Sequence, residues 1–377
     1  MRTVKIGLPV SLTGDYSVQG RESLRGVTLW VSDVNSRGGI FVKDYGKNIP
    51  IELIHYDDRS SAERCGDLTA RLISRDKVDL LLGPYSSSLA LASAEVAEEH
   101  GKTLWNHGGS TDEVEARAFN FVVSAITPAS KYSAGIIEAV RKSDRNADKI
   151  AIFSAVNSGF SRNIARGAQR YGLENGFLVE EFSFMSGEQD LSRLLEKVSD
   201  FGPDLIMGMG RAHDDLLLAR QLIERKVKAK SIALVVASIR LFKDTINEYA
   251  EGFLSASQWE SGAALKPDTG PTPEEFQKGF VAAYGEEPDY VAAQGYNIGV
   301  IIQKCIRDAG TIEDRVLREA ALRLDLNTFY GNFKTDSRGN QTGHEMFVVQ
   351  WLEGKKVIVH PESSSQAELV YPAPFKY

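Results

Sequence analysis

The sequence contains only two cysteines, Cys65 and Cys305, among 377 residues. Two thiols exclude a disulfide-rich scaffold and a zinc site built from four cysteines. Long hydrophobic runs are also missing, since no apolar stretch approaches the roughly 18 residues that a membrane helix needs. The stretch Ile232–Ala237 is typical of the short runs that are present.

Positive charge is not in excess either. Lys and Arg number 44 and Asp and Glu number 51, for a net charge of -7, so the chain lacks the basic character of a nucleic-acid binder. Hydrophobic residues make up 42% and charged residues 25%, which is ordinary for a globular protein and excludes disordered, collagen-like and coiled-coil chains. At about 150 residues per domain, the length predicts two domains.

The N-terminus carries no sign of a leader. The first three residues lead directly into Val4–Val10, which reads as a strand, with no charged segment followed by an apolar one. We therefore expect no signal peptide in this chain. Two interpretations stay open: the protein is cytoplasmic, or its leader was removed.

Motifs for catalysis and cofactors are weak. The six histidines show no metal-ligand spacing, and there is no nucleophile elbow and no P-loop. Gly208 to His213 follows a strand but lacks the third glycine of a dinucleotide site. Asp57 and Asp58 are interpreted as turn and capping residues. We expect no enzyme, no metal and no cofactor.

Short apolar runs alternate with amphipathic helical stretches along most of the chain. The predicted strands in this alternating part are Val4–Leu8, Ile51–Tyr56, Val78–Leu82, Thr103–Trp105, Phe121–Val123, Ile150–Phe153, Leu178–Phe182, Leu205–Met207 and Ile232–Val236. The pattern predicts an α/β fold of parallel sheets with helices on both faces. It restarts after residue 125 and breaks again near Glu251 and Gly252.

The C-terminal third has a different pattern. Helices are predicted over Pro273–Tyr284, Val291–Asp308 and Ile312–Leu322. Thr328–Thr335, Met346–Leu352 and Lys356–His360 read as antiparallel strands, with turns at Ser337–Gly339 and Glu353-Gly354.

The loops that follow the strands are the candidate ligand sites, because open α/β sheets bind ligands beyond the carboxyl ends of their strands. Gly83 to Ser88 opens a helix and suits an anion, or is a plain serine cap. Asn106 to Thr111 is a second corner, where Ser110 and Glu113 fit a capping box. Arg211 could clamp a carboxylate or form a surface ion pair with Asp214 or Asp215.

These segments resemble the type I periplasmic solute-binding proteins, and in particular the Leu/Ile/Val-binding family of ABC transporters. The matching segments are Val4–Gly14, Gly26–Asn35, Gly38–Ile40, Tyr56–Asp58, Gly83–Ser87, Gly295-Tyr296, Tyr330–Gly339 and Tyr371–Pro374. No single motif is decisive, but their order and spacing cover nearly the whole chain.

The resemblance implies two doubly wound, Rossmann-like α/β lobes joined by a three-crossing hinge, with the ligand held between closing lobes. The expected lobes are 1–124 plus 254–329 and 125–253 plus 333–377. The crossings are expected near Ser124–Thr127, Glu251–Ala256 and Thr328–Lys334. Both cysteines are then expected in the first lobe, and the family's disulfide near the Gly-Pro loop is absent because Ser86 stands in that loop.

The family's ligand-binding positions can be transferred residue by residue. Ser87, Gly108 and Ser110 match the positions that hold the ligand carboxylate. Other matches are the first-loop contact Gln19 with Tyr16 beside it, Tyr85 in the Gly-Pro loop, the second-lobe aromatic Phe160 and the apolar wall Tyr290.

Two positions depart from the amino-acid binders of the family. Their acidic partner for the ligand ammonium falls where this sequence has Val236-Ala237-Ser238, and Arg211 replaces an aromatic residue. A buried, unpaired ammonium would cost several kcal/mol. The expected ligand is an acid without an α-amino group, with aromatic acids as one option, unless Asp214, Asp215 or Glu260 substitutes.

The implied function is that of an extracytoplasmic binding protein that is monomeric, binds no nucleic acid and delivers its ligand to a membrane permease. A Leu/Ile/Val-type amino-acid binder and a cytoplasmic ligand sensor of the same fold stay open as alternatives. A Rossmann enzyme lacks its glycine fingerprint here, and a repressor would need an added helix-turn-helix.

Overall fold

A computed structural model describes residues 2–376. The strands are β1 (Val4–Val10), β2 (Ile40–Val42), β3 (Lys47–Ile49), β4 (Ile51–Asp57), β5 (Leu80–Leu82), β6 (Leu104–Asn106), β7 (Val122–Ser124), β8 (Lys149–Ala155), β9 (Leu178–Phe184), β10 (Leu205–Gly208), β11 (Ser231–Leu234), β12 (Leu254–Ser257), β13 (Asp325–Thr328), β14 (Gly331–Lys334), β15 (Phe347–Leu352) and β16 (Lys355–His360). The α-helices are α1 (Ser17–Ser36), α2 (Ala62–Ser74), α3 (Ser87–Glu99), α4 (Asp112–Ala116), α5 (Ala134–Ser143), α6 (Gly159–Glu174), α7 (Ser192–Phe201), α8 (Ala212–Glu224), α9 (Arg240–Ile246), α10 (Pro273–Tyr284), α11 (Tyr290–Ala309) and α12 (Asp314–Leu322).

The chain divides into two compact units. Unit 1 runs up to Thr127 and resumes over Leu265–Glu345. Unit 2 covers Pro128–Ala264 and continues from Met346. The chain therefore passes between the units three times, and the first passage follows the segment expected from the sequence.

Unit 1 is built on a five-stranded sheet in the order β4-β1-β5-β6-β7. Every pairing in it is parallel, as in the register of Ile6 with Leu53 and of Gly7 with Leu81. Leu80–Leu82 at its centre is fully buried, which explains why this strand reads as a continuous apolar run. The predicted α/β class is confirmed.

Helices α1 and α11 approach each other so closely that only glycine fits at the contact. A Cβ on Gly26 would lie 2.0 Å from the carbonyl oxygen of Ala292, and one on Gly295 would lie 2.4 Å from that of Ser23. A Cβ on Gly299, four residues after Gly295, would meet the ring of Trp30, seven residues after Ser23. The contacts therefore advance in the same direction along both chains, and the two helices are parallel. Their N-terminal turns, which carry Gln19 and Tyr290, therefore lie at the same end of the pair.

Unit 2 is built on a seven-stranded sheet in the order β16-β15-β12-β11-β10-β8-β9. The pairings from β9 to β12 are parallel, and β15 and β16 add antiparallel strands. The predicted antiparallel strands at Met346–Leu352 and Lys356–His360 are confirmed. The unit's core includes Phe153, Phe242 and Phe253, all fully buried.

Several sequence predictions were wrong in detail. The single strand expected over Thr328–Thr335 is a hairpin of β13 and β14 that turns at Phe329 and Tyr330. The hairpin of β2 and β3 and the buried strand β12 were not predicted. The strand expected over Ile232–Val236 stops at Leu234, and Val235–Ser238 form a 3₁₀ turn.

The later boundaries of the units differ from those expected. The chain leaves unit 2 after Ala264 rather than near residue 253, because β12 pairs with β11 inside the unit 2 sheet. It leaves unit 1 after Glu345 rather than near residues 329–333, because the β13-β14 hairpin belongs to unit 1.

Candidate functional site

The loop after β1 is organised by two adjacent carboxylates. Asp57 accepts hydrogen bonds from the backbone N–H of Leu12 at 2.9 Å and the hydroxyl of Thr13 at 2.8 Å. Burial acts to raise the pKa of Asp57, but the hydrogen bonds to backbone N–H groups outweigh it and lower the pKa. Asp58 accepts from the Ser11 hydroxyl at 2.6 Å, and burial raises its pKa. The predicted turn role of both aspartates is confirmed, since each accepts from the backbone N–H two residues on. The predicted capping role is wrong, because the N-cap of α2 is Ser61.

The Gly-Pro loop ends in a strained serine. Ser86 has a φ of 93°, a region that non-glycine residues avoid at a cost of about 1–3 kcal/mol. It precedes α3 at the N-cap position, but its side chain accepts no hydrogen bond from the helix backbone. The interpretation of this motif as simple serine capping is therefore wrong.

Ser87 occupies the first position of α3. The first N–H groups of a helix have no partner within the helix and carry partial positive charge. Within residues 2–376 the Ser87 hydroxyl makes no hydrogen bond, and the side chain is partly exposed. The start of α3 can therefore donate several hydrogen bonds to an anion.

The corner after β6 lies against the Gly-Pro loop. The Asn106 side chain fixes it by accepting from the N–H of Gly109 at 2.9 Å and donating to its carbonyl at 2.7 Å. A Cβ on Gly108 would lie 2.7 Å from the Cα of Tyr85. The corner thus needs glycine, because the two loops approach within backbone contact.

Ser110 does not cap the helix that follows it. The N-cap of α4 is Thr111, whose side chain accepts from the N–H of Glu113 at 3.3 Å. The expected capping box of Ser110 with Glu113 is wrong. The Ser110 hydroxyl is left without a hydrogen bond among the described residues, and the residue is 6% exposed.

Three tyrosines gather at the same edge of unit 1, and we call them the tyrosine cluster: Tyr16, Tyr85 and Tyr290. The rings of Tyr16 and Tyr85 meet edge to face with centroids 6.4 Å apart. The hydroxyl oxygens of Tyr85 and Tyr290 are 3.3 Å apart. Asp289 caps α11 and accepts from the N–H groups of Val291 and Ala292, which fixes Tyr290 at the helix start.

Gln19 lies in the first turn of α1, three residues after the N-cap residue Tyr16. Its Oε1 atom is buried and has no hydrogen-bond partner within residues 2–376. The structure therefore places the predicted ligand-binding residues of unit 1 in neighbouring loops and helix starts at one end of the sheet.

In unit 2, Phe160 lies in the first turn of α6. Its ring meets that of Tyr132 edge to face, with centroids 5.9 Å apart. The Tyr132 hydroxyl in turn accepts from the side chain of Gln258 at 2.9 Å. Tyr132 and Gln258 support Phe160 and were not identified from the sequence, because they lie far apart in it and carry no motif.

Arg211 follows β10 and is partly exposed. The ion pair considered for it with Asp214 or Asp215 is not formed. Asp214 instead pairs with His213 at 3.0 Å and accepts from the Ser186 hydroxyl at 2.8 Å.

Asp215 is buried, with 1% of its surface exposed. Its two oxygens accept from the backbone N–H of Gly210 at 2.8 Å and of Val236 at 3.2 Å. Burial raises its pKa to about 7, with a further contribution from the neighbouring Asp214 carboxylate. The bond to Val236 also explains why β11 ends early, since that N–H is no longer free for the sheet.

Ser238 lies in the segment where the amino-acid binders of the resembling family have an acidic partner for the ligand ammonium. It is buried, and its hydroxyl donates to the carbonyl of Val235 at 3.2 Å. Its own carbonyl accepts from the Lys356 ammonium at 2.6 Å, and this ammonium also pairs with Glu260 at 2.8 Å. All three substitute carboxylates named from the sequence are thus engaged within unit 2.

The two cysteines lie in unit 1, as expected, and both are buried free thiols. Burial raises the pKa of each to about 12. Among residues 2–376 no group of three or more His, Cys, Asp or Glu side chains could hold a metal ion. No helix in the same range is both long and apolar enough to cross a membrane.

Comparison with known proteins agrees with this architecture. A family model described as periplasmic binding protein matches residues 3–356. Leu/Ile/Val-binding protein homolog 7 of Brucella melitensis is 24% identical over 390 residues, which covers 98% of this chain and 94% of that protein. Homolog 8 of Brucella abortus is 25% identical over 390 residues, with 97% and 92% covered.

Solved structures share the fold. The leucine-binding protein LivK of Thermotoga maritima has a TM-score of 0.82 at 22% identity, with 94% of this chain and 97% of that one covered. LivJ of Streptococcus pneumoniae, in complex with isoleucine, has a TM-score of 0.81 at 20% identity, with 98% and 100% covered. A solute-binding protein of R. palustris, in complex with benzoate, has a TM-score of 0.79 at 18% identity, with 100% and 98% covered.

These neighbours define the class as the two-lobed type I periplasmic binding fold. The chain belongs to the periplasmic binding proteins, in the Leu/Ile/Val-binding family of branched-chain amino acid ABC transporters. Proteins of this family bind small ligands for transport and interact with permeases.

Proposed function

We propose that this binding protein takes a small carboxylic acid without an α-amino group, and that an aromatic acid of the benzoate type is its ligand. The observation that carries the proposal is that, among the described residues, the three carboxylates considered as substitutes for the missing acidic partner all bond to other groups. Asp214, Asp215 and Glu260 are each held by other groups of unit 2. A ligand ammonium would therefore stay unpaired, at a cost of several kcal/mol.

In unit 1 the ligand carboxylate would be held by Ser87 and Ser110. Both hydroxyls lack partners among the described residues, and Ser87 stands at the start of α3, where backbone N–H groups favour an anion. Gly108 keeps the space beside them free of a side chain. The tyrosine cluster then offers ring edges and faces on which an aromatic ligand can pack.

In unit 2 we assign ligand contacts to Phe160, Arg211 and Ser238. Phe160 offers an aromatic face supported by Tyr132. The Arg211 guanidinium is not used by Asp214 or Asp215 and suits a carboxylate, with which it can form two parallel hydrogen bonds. Closure of two lobes around the ligand stays a prediction, and a fall in the radius of gyration on ligand addition would support it.

A Leu/Ile/Val-type amino acid is the second candidate. It is favoured by the names of the Brucella relatives and by the isoleucine bound to LivJ. The benzoate-bound neighbour supports the first candidate, and another neighbour is bound to 3,4-dihydroxybenzoic acid. All of these proteins have low sequence identity to this chain. The choice between an amino acid and an aromatic acid therefore rests on the unit 2 carboxylates.

Calorimetric titration of serine variants tests the carboxylate site. Ser87→Ala and Ser110→Ala should each weaken benzoate binding about tenfold, which corresponds to one lost hydrogen bond to a charged group. Ser88→Ala is the matched control, since Ser88 is exposed on the same helical turn and should leave the affinity unchanged. Equal effects of all three variants would overturn the assignment.

We further propose that the protein works outside the cytoplasm as a monomer, passes its ligand to a membrane permease, binds no nucleic acid and catalyses no reaction. Its family supports the transport role. Fractionation of the source cells distinguishes this location from that of a cytoplasmic sensor.

A further inference from the structure

Gln294 is a buried amide that nothing in the described chain satisfies. The residue is 2% exposed, and neither its Oε1 nor its Nε2 has a hydrogen-bond partner within residues 2–376. Buried amides in folded proteins almost always find partners, in protein or in water. An amide left without them destabilises the fold, so this side chain calls for a functional explanation.

Gln294 lies about one helical turn after Tyr290, a member of the tyrosine cluster. It follows Tyr290 by four residues on α11, so the two side chains lie on neighbouring parts of one helix face. Side chains on a helix lean toward its N-terminus, which brings the Gln294 amide toward the turn of Tyr290. The Tyr290 hydroxyl is the atom that meets Tyr85, 3.3 Å away.

A second amide repeats this arrangement from the other helix. Gln19 follows Tyr16 by three residues on α1, and its Oε1 is also buried without a partner. Because α1 and α11 are parallel and in close contact, both amides lie near the same end of the helix pair. Unpartnered amides thus accompany two of the three tyrosines at the proposed ligand site.

The chemistry of an amide restricts what it can bind. It offers one acceptor oxygen and two donor hydrogens and carries no charge. A carboxylate can only accept from its NH₂ and an ammonium can only donate to its oxygen, whereas a hydroxyl group can do both. The ligand group that fits is therefore uncharged and polar.

We propose that Gln294 binds a hydroxyl group of the ligand and makes the protein prefer hydroxylated acids over their unsubstituted parents. This inference deepens the proposed function and rests on it. The Tyr290 ring and the Gln294 amide would then contact the part of the ligand that lies away from its carboxylate.

Titration of two variants with three probes tests the inference: benzoate, 3-hydroxybenzoate and 4-hydroxybenzoate. Gln294→Met keeps the volume and removes the amide. Gln350→Met is the control, since Gln350 is equally buried but fully bonded, to Gly252 and to Val370. Affinities come from calorimetry and melting temperatures from unfolding of the ligand-free proteins.

The unmodified protein should bind at least one hydroxybenzoate about tenfold more tightly than benzoate. Gln294→Met should lose this preference, bind benzoate unchanged and melt at the same or a higher temperature. Gln350→Met should melt at a lower temperature and keep the preference. These results together would support the inference.

Two results overturn the inference alone. One is benzoate binding with no preference for a hydroxybenzoate, which would mean that ordered water satisfies the amide. The other is a preference that survives in Gln294→Met, or a melting temperature that falls as far as in Gln350→Met, which would give Gln294 a structural role. Failure of all three acids to bind would overturn the proposed function and this inference with it.

Discussion

The carboxylate of Asp215 accepts a hydrogen bond from the backbone N–H of Gly210 at 2.8 Å. Its other oxygen accepts from Val236 at 3.2 Å. One buried side chain therefore ties the loop that carries Arg211 to the turn that carries Ser238. Both of these residues belong to the proposed ligand contacts of unit 2.

The stability of the fold should fall as pH rises through the titration of Asp215. Burial raises its pKa from 3.8 to about 7, so the folded protein holds this proton in a range where the unfolded chain has released it. Stabilisation is then complete below about pH 4 and is lost by about pH 7. The difference corresponds to about 4 kcal/mol.

Asp215→Asn provides the comparison, because asparagine does not titrate. The free energy of unfolding of the unmodified protein, minus that of the variant, should decrease between pH 4 and pH 8. Taking this difference cancels the other titrating groups. A difference that stays constant or increases over the range would show that the Asp215 pKa is not raised.

Ser86→Gly should stabilise the protein by about 1 kcal/mol. The positive φ of Ser86 is strained for a side chain but relaxed for glycine, whose added flexibility in the unfolded chain offsets part of the gain. The free energy of unfolding in urea measures the effect. Ser88→Gly, two residues later inside α3, should instead destabilise by about 0.5–1 kcal/mol, and similar losses for both would contradict the strain at Ser86.

Arg211→Gln should weaken binding of benzoate by about tenfold or more, since it removes a charge that the neighbouring aspartates leave available for the ligand. The control is Arg220→Gln, an exposed arginine on α8, the helix that Arg211 precedes. Calorimetry should give an unchanged dissociation constant for the control. An unchanged constant for Arg211→Gln as well would remove this residue from the site.

Both cysteines should resist a thiol reagent in the native protein and react in denaturant. Each is buried, and burial raises the pKa of each to about 12, so neither reactive thiolate forms at pH 8. Absorbance of the released reagent should report two thiols per chain after unfolding. A count of zero in denaturant without reductant would reveal a disulfide instead.

Much of the fold follows from the sequence because the central strands of both sheets are buried on both faces. Strands such as β5 are continuous apolar runs in the sequence. The helices between them are recognisable from the amphipathic spacing of their apolar residues. The β12 strand was missed because it alternates Leu254, Ser255, Ala256 and Ser257, although all four are buried. The hairpin of β13 and β14 was missed because Phe329 and Tyr330 extend the apolar run through the turn.

The candidate site was only partly accessible from the sequence. Ser87 and Ser110 can be predicted from the sequence because they follow strands. That neither of them caps a helix is visible only in the structure, where Ser86 and Thr111 occupy the N-cap positions. Gln294 was missed, although its spacing of four from Tyr290 was visible. What distinguishes it is the absence of a partner, which emerges only from three-dimensional packing.

Head-to-head calorimetric titration of the unmodified protein with benzoate and with leucine tests the central claim most directly. We expect benzoate to bind at least tenfold more tightly, because the three carboxylates considered as partners for the leucine ammonium, Asp214, Asp215 and Glu260, are each bonded within unit 2. Tight binding of leucine, with benzoate weak or absent, would contradict it.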